Sequence, residues 1–295
     1  MKYLDPKADL TFKKIFGNHP KRLISLLNAL LPLSEEEQIH EIEYLPTELV
    51  PEINSYRYAV ANILCTDAMS NKFCVVIRIE WSNVFKQRVL FNASKLYVSQ
   101  AKKGEKYCAL QPVYSLNLVN DIFERDTPEF IHNYRIVHDK DSNKVIEGLH
   151  FTFIELPKFT PHSISDKRMM VLWLRFLTEI NANTQEIPSD LLNDPEIGKA
   201  VEDLEVSGFT DAELRAYDKF WDSVSVERTL LDDRYQKGME EGMEKGMKQG
   251  MAKGEEVGKS QRSIEIAKNM LAKGMDEATI QEITGLTEDQ ILQIQ

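Results

Sequence analysis

The chain has 295 residues, 42% of them hydrophobic, and a formal net charge of −11. That is enough for one large core or a domain with extensions, and the apolar content is that of an ordinary soluble globular protein. No run of about 18 apolar residues is present, which excludes a spanning helix, and the acidity argues against indiscriminate adhesion to nucleic acid.

The opening MKYLDPKADLTFKK carries early acids and no apolar leader, so a cytoplasmic location is expected. Asp5-Pro6 reads as a helix N-cap followed by proline at the first helical position, with Leu10, Phe12, Ile15 and Phe16 inward and Gly17 as the stop. Pro20 opens a second helix with Leu23, Leu26, Leu27, Leu30 and Leu31 inward, ending at Pro32. Residues 38–45 and 57–66 are expected to be extended, 67–71 (DAMSN) is a turn cluster, and 72–81 is a strand rich in β-branched residues.

A helix is expected from Ser82 to about Gln100, with Arg88, Asn92, Lys95, Ser99 and Lys102 on one polar face and Phe85, Val89 and Leu96 toward the core. From Trp81 to Gly104 the chain has Lys86, Arg88, Lys95, Lys102 and Lys103 and no acid, a locally basic face compatible with DNA contact. Buried strands are expected at 109–119 and 149–156, and helices at 166–181, 194–207 and 210–235. Strands flanked by helices indicate an α/β sandwich. Cys65, Cys74 and Cys108 lack CxxC spacing and read as reduced core thiols, and six scattered histidines give no zinc pattern.

The tail departs from this pattern. Gly238, Gly242, Gly246, Gly250, Gly254 and Gly258 recur every four residues, and Met239, Met243, Met247 and Met251 keep the same step. Each glycine costs about 1 kcal/mol in a helix interior relative to alanine. A partner surface can offset that, because glycine lets backbones approach closely and methionine fills irregular gaps. The expectation is self-association, with a flexible helical linker as the competing reading. A four-residue period exceeds 3.6 and favours a crossing over a heptad coiled coil, and interleaved Glu and Lys exclude a membrane role. The final 33 residues suggest three short helices with turns at Gly274 and Gly285, resembling a helix-turn-helix. Glu288 and Asp289 at the start of its last helix oppose phosphate, so a capping or assembly bundle is expected there.

The 56–81 segment, YRYAVANILCTDAMSNKFCVVIRIEW, has the layout of a nuclease active-site hairpin. Such a site needs carboxylates that hold Mg²⁺ beside a phosphate and a Lys or Gln partner, and alternate strand residues supply them on one face. Val76, Arg78 and Glu80 alternate onto one face, with Asn62 expected opposite Val76 or Arg78. With DPKADLTFKKIFG (5–17), LLNALLP (26–32), CTD (65–67), FKQRVLFNASKLYVSQ (85–100) and ALQPVYSL (109–116), the chain resembles the recombination-promoting nuclease, or PD-(D/E)XK nuclease family transposase, group.

The resemblance implies a restriction-endonuclease-like α/β core sheet flanked by helices, followed by an α-helical extension. It implies Mg²⁺-dependent DNA endonuclease activity in recombination or mobile-element biology. It also implies that the strand-one aspartate falls on Asn62, the glutamate on Val76 and the glutamine on Arg78, with Asp9 as a further acidic position. Arg78, Gln87, Arg88 and Lys95 are the implied DNA contacts. With an amide, an alkyl group and a guanidinium at those places, the expectation is a degraded nuclease relative that holds no metal, retains DNA binding and forms homo-oligomers through the glycine-stepped helix. Two other readings are an active Mg²⁺ endonuclease rebuilt on Glu80 or Asp67, and an oligomeric interaction protein without nucleic-acid activity. The expected divisions are a nuclease-like domain at 1–160, a helical region at 161–235, the glycine-stepped helix at 236–260 and a small helical segment at 261–295.

Overall fold

The computed structural model describes residues 2–17, 19–45, 59–80, 85–101, 106, 109–161 and 168–294, excepting the side chains of 59–61, 76, 78, 80 and 231. Two compact units divide the chain, Met1–Arg228 and Thr229–Gln295.

The first unit is built on a six-stranded sheet. Its strands are β1 (Ile39–Tyr44), β2 (Ala59–Asp67), β3 (Lys72–Glu80), β4 (Val113–Val119), β5 (Ile131–His138) and β6 (Asp141–Glu155), in the order β1-β2-β3-β4-β6-β5. β3 and β6 run parallel to β4, and the other pairs are antiparallel. Helices cover both faces, as the sequence leads one to expect of an α/β sandwich.

Alternation along β3 divides the core. Phe73, Val75, Ile77 and Ile79 face the larger cluster, shared with α1 (Asp9–Phe16), α2 (Pro20–Leu30) and α4 (Arg168–Glu179). Cys74 faces the other side, where α3 (Lys86–Ser99) packs Ala93 and Leu96 against Val113, and Val89 against Val119 and Phe153. Short helices α5 (Ser189–Asn193) and α6 (Pro195–Glu202) complete the larger side. The Asp194 carboxylate caps α6 by accepting from Glu196 N and Ile197 N, with Pro195 at the first turn.

Several elements differ from the sequence-based expectation. Asp5 caps no helix, because α1 starts at Asp9 after Ala8. Asp5 is instead buried, accepts from Lys7 N and pairs with Lys7 Nζ at 2.9 Å, while Lys7 Nζ also donates to Leu177 O and Asp5 N donates to Tyr217 OH. The DPK segment is thus a buried polar clasp on α4 and on the start of α7 (Asp211–Ala272). β4 begins at Val113 rather than 109, α6 ends before 207, and the β5–β6 hairpin and α5 were not foreseen. The outer parts of the expected strands and helices at 57–58, 81–84, 162–167, and Lys102, Lys103 and Cys108, lie outside the described residues.

The second unit contains the later part of α7, then α8 (Glu277–Thr284) and α9 (Glu288–Leu292). The boundaries drawn at 235 and 260 fall inside α7, a single helix of 62 residues. Ala267, Met270, Ile280, Leu286 and Ile291 form the core of this unit. Asp276 caps α8, Gly285 closes it at φ 71°, and Thr287 with Gln290 forms a capping box on α9. No described helix is long and apolar enough to cross a membrane.

Candidate nucleic-acid interface

The hairpin register places Asn62 opposite Val76, and β4 continues the row with Ser115 beside Val76 and Asn117 beside Arg78. Alternation puts Asn62, Ser115 and Asn117 on the face of the sheet that α3 covers.

Ser115 and Asn117 are buried polar side chains in the middle of an otherwise apolar strand. Asn117 Nδ2 donates to Ser115 O, Ser115 Oγ and Thr152 O at 3.0, 3.1 and 3.2 Å, and Ser115 Oγ donates to Asn117 Oδ1. The pair meets its own hydrogen-bonding needs, as buried polar groups must. Sequence reading missed it. Two polar residues at i and i+2 in VYSLNLV were the available signal, because that spacing fixes them on a common face.

α3 is oriented by two contacts on one flank. Lys86 Nζ pairs with Glu124 Oε1 at 3.0 Å and lies over the Phe123 ring. The Tyr97 ring lies 3.6 Å from where a side chain at Gly148 of β6 would begin. At about 100° per residue, Arg88, Asn92, Lys95 and Ser99 fall on roughly the opposite flank, toward β3 and β2. This polar stripe is therefore not the solvent face of the helix. Asn92 is buried, whereas Leu90, Phe91 and Val98 are exposed on the outer side. Gln87 is exposed and stands about 100° from Arg88, away from that flank.

The acids distribute differently. Asp9 begins α1, whose layer covers the other face of the sheet; its Oδ2 accepts from Lys13 Nζ at 2.9 Å, and its Oδ1 is buried without a hydrogen-bond partner. Asp67 alternates onto the face away from α3 and lies about 17 Å along the strand from Asn62. Its carboxylate is taken up by the hairpin turn, accepting from Met69 N, Asn71 N and Asn71 Nδ2 at 2.9, 2.8 and 3.0 Å. Those bonds hold its pKa below the usual value despite an opposing desolvation contribution. Glu80 follows Arg78 by two residues in β3, with Val119 as its neighbour on β4.

Mg²⁺, the ion implied by such a fold, requires near-octahedral oxygen ligation anchored by carboxylates. An amide at 62, an alkyl group at 76 and a guanidinium at 78 do not fit it, and the single orphaned oxygen of Asp9 is not a ligand set. Among the described residues no group of three or more His, Cys, Asp or Glu is placed to hold a metal.

Comparison with known families agrees with this architecture. Residues 6–234 match the family described as PD-(D/E)XK nuclease family transposase, and residues 260–295 match the Rpn/YhgA-like nuclease family, C-terminal HTH domain. The chain belongs to the PD-(D/E)XK nuclease family transposase group. No curated protein and no solved structure matches it. The helix-turn-helix assignment supports DNA binding, against the capping bundle that the acids alone suggested. Those acids still dominate 260–295, where Glu265, Asp276, Glu277, Glu282, Glu288 and Asp289 outnumber Arg262, Lys268 and Lys273.

Proposed function

We propose that this chain is a nuclease-fold DNA-binding protein that has exchanged metal-dependent cleavage for metal-independent phosphate binding. The carrying observation is the hairpin register, Asn62 opposite Val76, with Arg78 two residues further along β3. Where the resemblance implies a carboxylate pair the chain has an amide and an alkyl group, and one row further along β3 it has an arginine. Arg78 of β3 and the Arg88–Lys95 flank of α3 hold backbone phosphate oxygens, with guanidinium groups suited to bidentate contact. Because phosphate contacts position a protein without reading bases, this surface gives affinity and no sequence preference. Gln87 plays at most a peripheral part. The acid-rich helix-turn-helix unit contributes less to phosphate affinity than this face. Self-association through the exposed Gly/Met face of α7 accompanies DNA binding and brings two such faces onto one duplex.

The test is duplex binding by the full chain in EDTA. Binding should persist, weaken as salt rises, and lose about one unit of the logarithmic salt slope for each phosphate contact removed in Arg88→Gln or Lys95→Gln. Arg262→Gln should change the slope less. No binding at low salt would overturn the proposal, as would plasmid nicking by the wild-type chain in Mn²⁺, which would favour a site rebuilt around Glu80.

A further inference from the structure

The connection from β4 to β5, residues 120–130, has no helix or strand of its own, so its carbonyls need partners from elsewhere. Three of them share one. Lys158, on the single turn Leu156–Lys158 that follows β6, sends Nζ to Glu124 O, to Thr127 O at 2.9 Å and to Glu129 O at 3.2 Å. The fourth oxygen around it is Glu155 Oε2 at 2.5 Å, from a fully buried carboxylate, and His132 Nε2 shares that oxygen at 2.9 Å. Glu155 Oε1 accepts from Phe123 N and Glu124 N, and Glu155 N donates to Phe130 O at 2.8 Å. The connection is thus a strap drawn around one positive charge. It reaches the start of α3, where Phe123 packs on Phe85 with ring centres 5.3 Å apart and Glu124 pairs with Lys86.

An ammonium has three N–H donors, and four oxygens surround this one. At least one of them is therefore held by charge rather than by a bond of its own. Rings of carbonyl oxygens hold potassium in that manner, by replacing its hydration shell. The Lys158 side chain is 11% exposed, so its charge has left most of its water behind. The single carboxylate of the ring balances a single positive charge, whereas a divalent ion would leave a buried excess. We propose that Glu124 O, Thr127 O, Glu129 O and Glu155 Oε2 form a monovalent-cation site. The Lys158 ammonium is its tethered occupant, potassium or a small alkylammonium is its free equivalent, and occupancy holds the strap against α3. Tethering supplies the cation at an effective concentration above that of a free ion, so the wild-type chain needs no potassium from solution.

The test is Lys158→Ala in the full chain, which keeps all four oxygens and vacates the centre. Its melting is followed in potassium, ethylammonium and tetramethylammonium chloride at one ionic strength. Tetramethylammonium carries the same charge but has no N–H and is too large for the ring. At roughly tenfold excess over Kd, potassium and ethylammonium should each raise the melting temperature by about 3 °C relative to tetramethylammonium. The same two ions should restore hydrogen-exchange protection to the Phe123 and Glu124 amides, which report the closed strap. Wild type should melt alike in all three salts. Lys158→Met fills the space with an uncharged chain, so it should be destabilised and gain nothing from potassium. A Lys158→Ala chain that folds only with potassium or ethylammonium present supports the site. One that folds in none of the salts, or melts alike in them, overturns it. Equal rescue of Lys158→Met also overturns it, because the effect would then be one of salt in general. Calcium acting at lower concentration than potassium overturns the monovalent assignment.

Discussion

Two places on the α3 side of the sheet treat charge in opposite ways. In the row formed by Glu80, Val119 and Glu155, Glu155 is a fully buried carboxylate with a complete set of donors. It accepts from Phe123 N, Glu124 N, His132 Nε2 and Lys158 Nζ, and Lys158 also donates to the carbonyls of Glu124, Thr127 and Glu129. Two rows away, the register sets Asn62 opposite Val76, the positions that the proposal assigns to lost carboxylates. The contrast separates two reasons for keeping a buried anion. Glu155 ties the 120–130 segment to β6. A metal-binding pair serves only a metal, and without the ion two adjacent carboxylates repel each other in a low dielectric.

This contrast can be broken most directly at Glu155. Glu155→Ala leaves an ammonium and two N–H groups buried without their acceptor and should lower unfolding free energy by about 3–5 kcal/mol, measured by urea denaturation. A loss below about 0.5 kcal/mol would show the cluster to be ornamental. Restoring the other site sharpens the same point. Asn62→Asp, Val76→Glu and Arg78→Gln together should make the chain responsive to Mg²⁺, with a gain of about 2.7 kcal/mol at a hundredfold excess over Kd, and should restore plasmid nicking. A triple variant whose melting temperature ignores Mg²⁺ would count against the assigned positions.

Acidity offers a subtler probe. Burial pushes the Glu155 pKa up, but the bonds from Lys158, Glu124 N, His132 and Phe123 N outweigh it and leave the group below its ordinary value. A depressed folded pKa stabilises the protein above the ordinary carboxylate range, and that contribution is lost as pH falls through the lowered value. Denaturation midpoints should therefore drop on acidification more steeply in wild type than in Glu155→Gln. Equal slopes would remove Glu155 from the acid response. The smallest expected effect lies in the second unit. Gly285→Ala places a side chain at φ 71° and should cost about 1 kcal/mol in the thermal transition of the helix-turn-helix unit, with no change in duplex affinity if phosphate is held by the α3 face.

Much of the fold was legible in the sequence. β2 and β3 announced themselves by β-branched alternation around the DAMSN turn, and α2 by Pro20 with leucines at helical spacing. The β5–β6 hairpin was not legible, because β4 pairs only with Leu149–Glu155 of β6. The earlier part of β6 lies beyond β4, so IHNYRIVHDKDSNKVIEG carries little apolar alternation and turns at Asp139-Lys140 without a glycine. The continuity of α7 was hidden by its glycines, which resemble punctuation when local propensity is read alone. At the candidate site, Asn62, Val76 and Arg78 are proposed from the motif, whereas Ser115 and Asn117 were missed because their role depends on which strand lies beside β3. The direction of the Arg88 stripe was misjudged for a similar reason: the packing of Val89, Ala93 and Leu96 on the sheet, with Lys86 and Tyr97 on one flank, sets which way α3 is turned.

The two described cysteines carry a practical consequence. Cys65 and Cys74 lie on neighbouring strands but point into different cores, so no disulfide can join them without dismantling β2 and β3. Burial pushes both thiols upward, Cys74 to about 11. As thiolate is the nucleophile, both should ignore maleimide while the sheet is intact and react once it opens. Their alkylation is therefore a built-in clock for unfolding of the central hairpin, readable by mass spectrometry with no engineered probe.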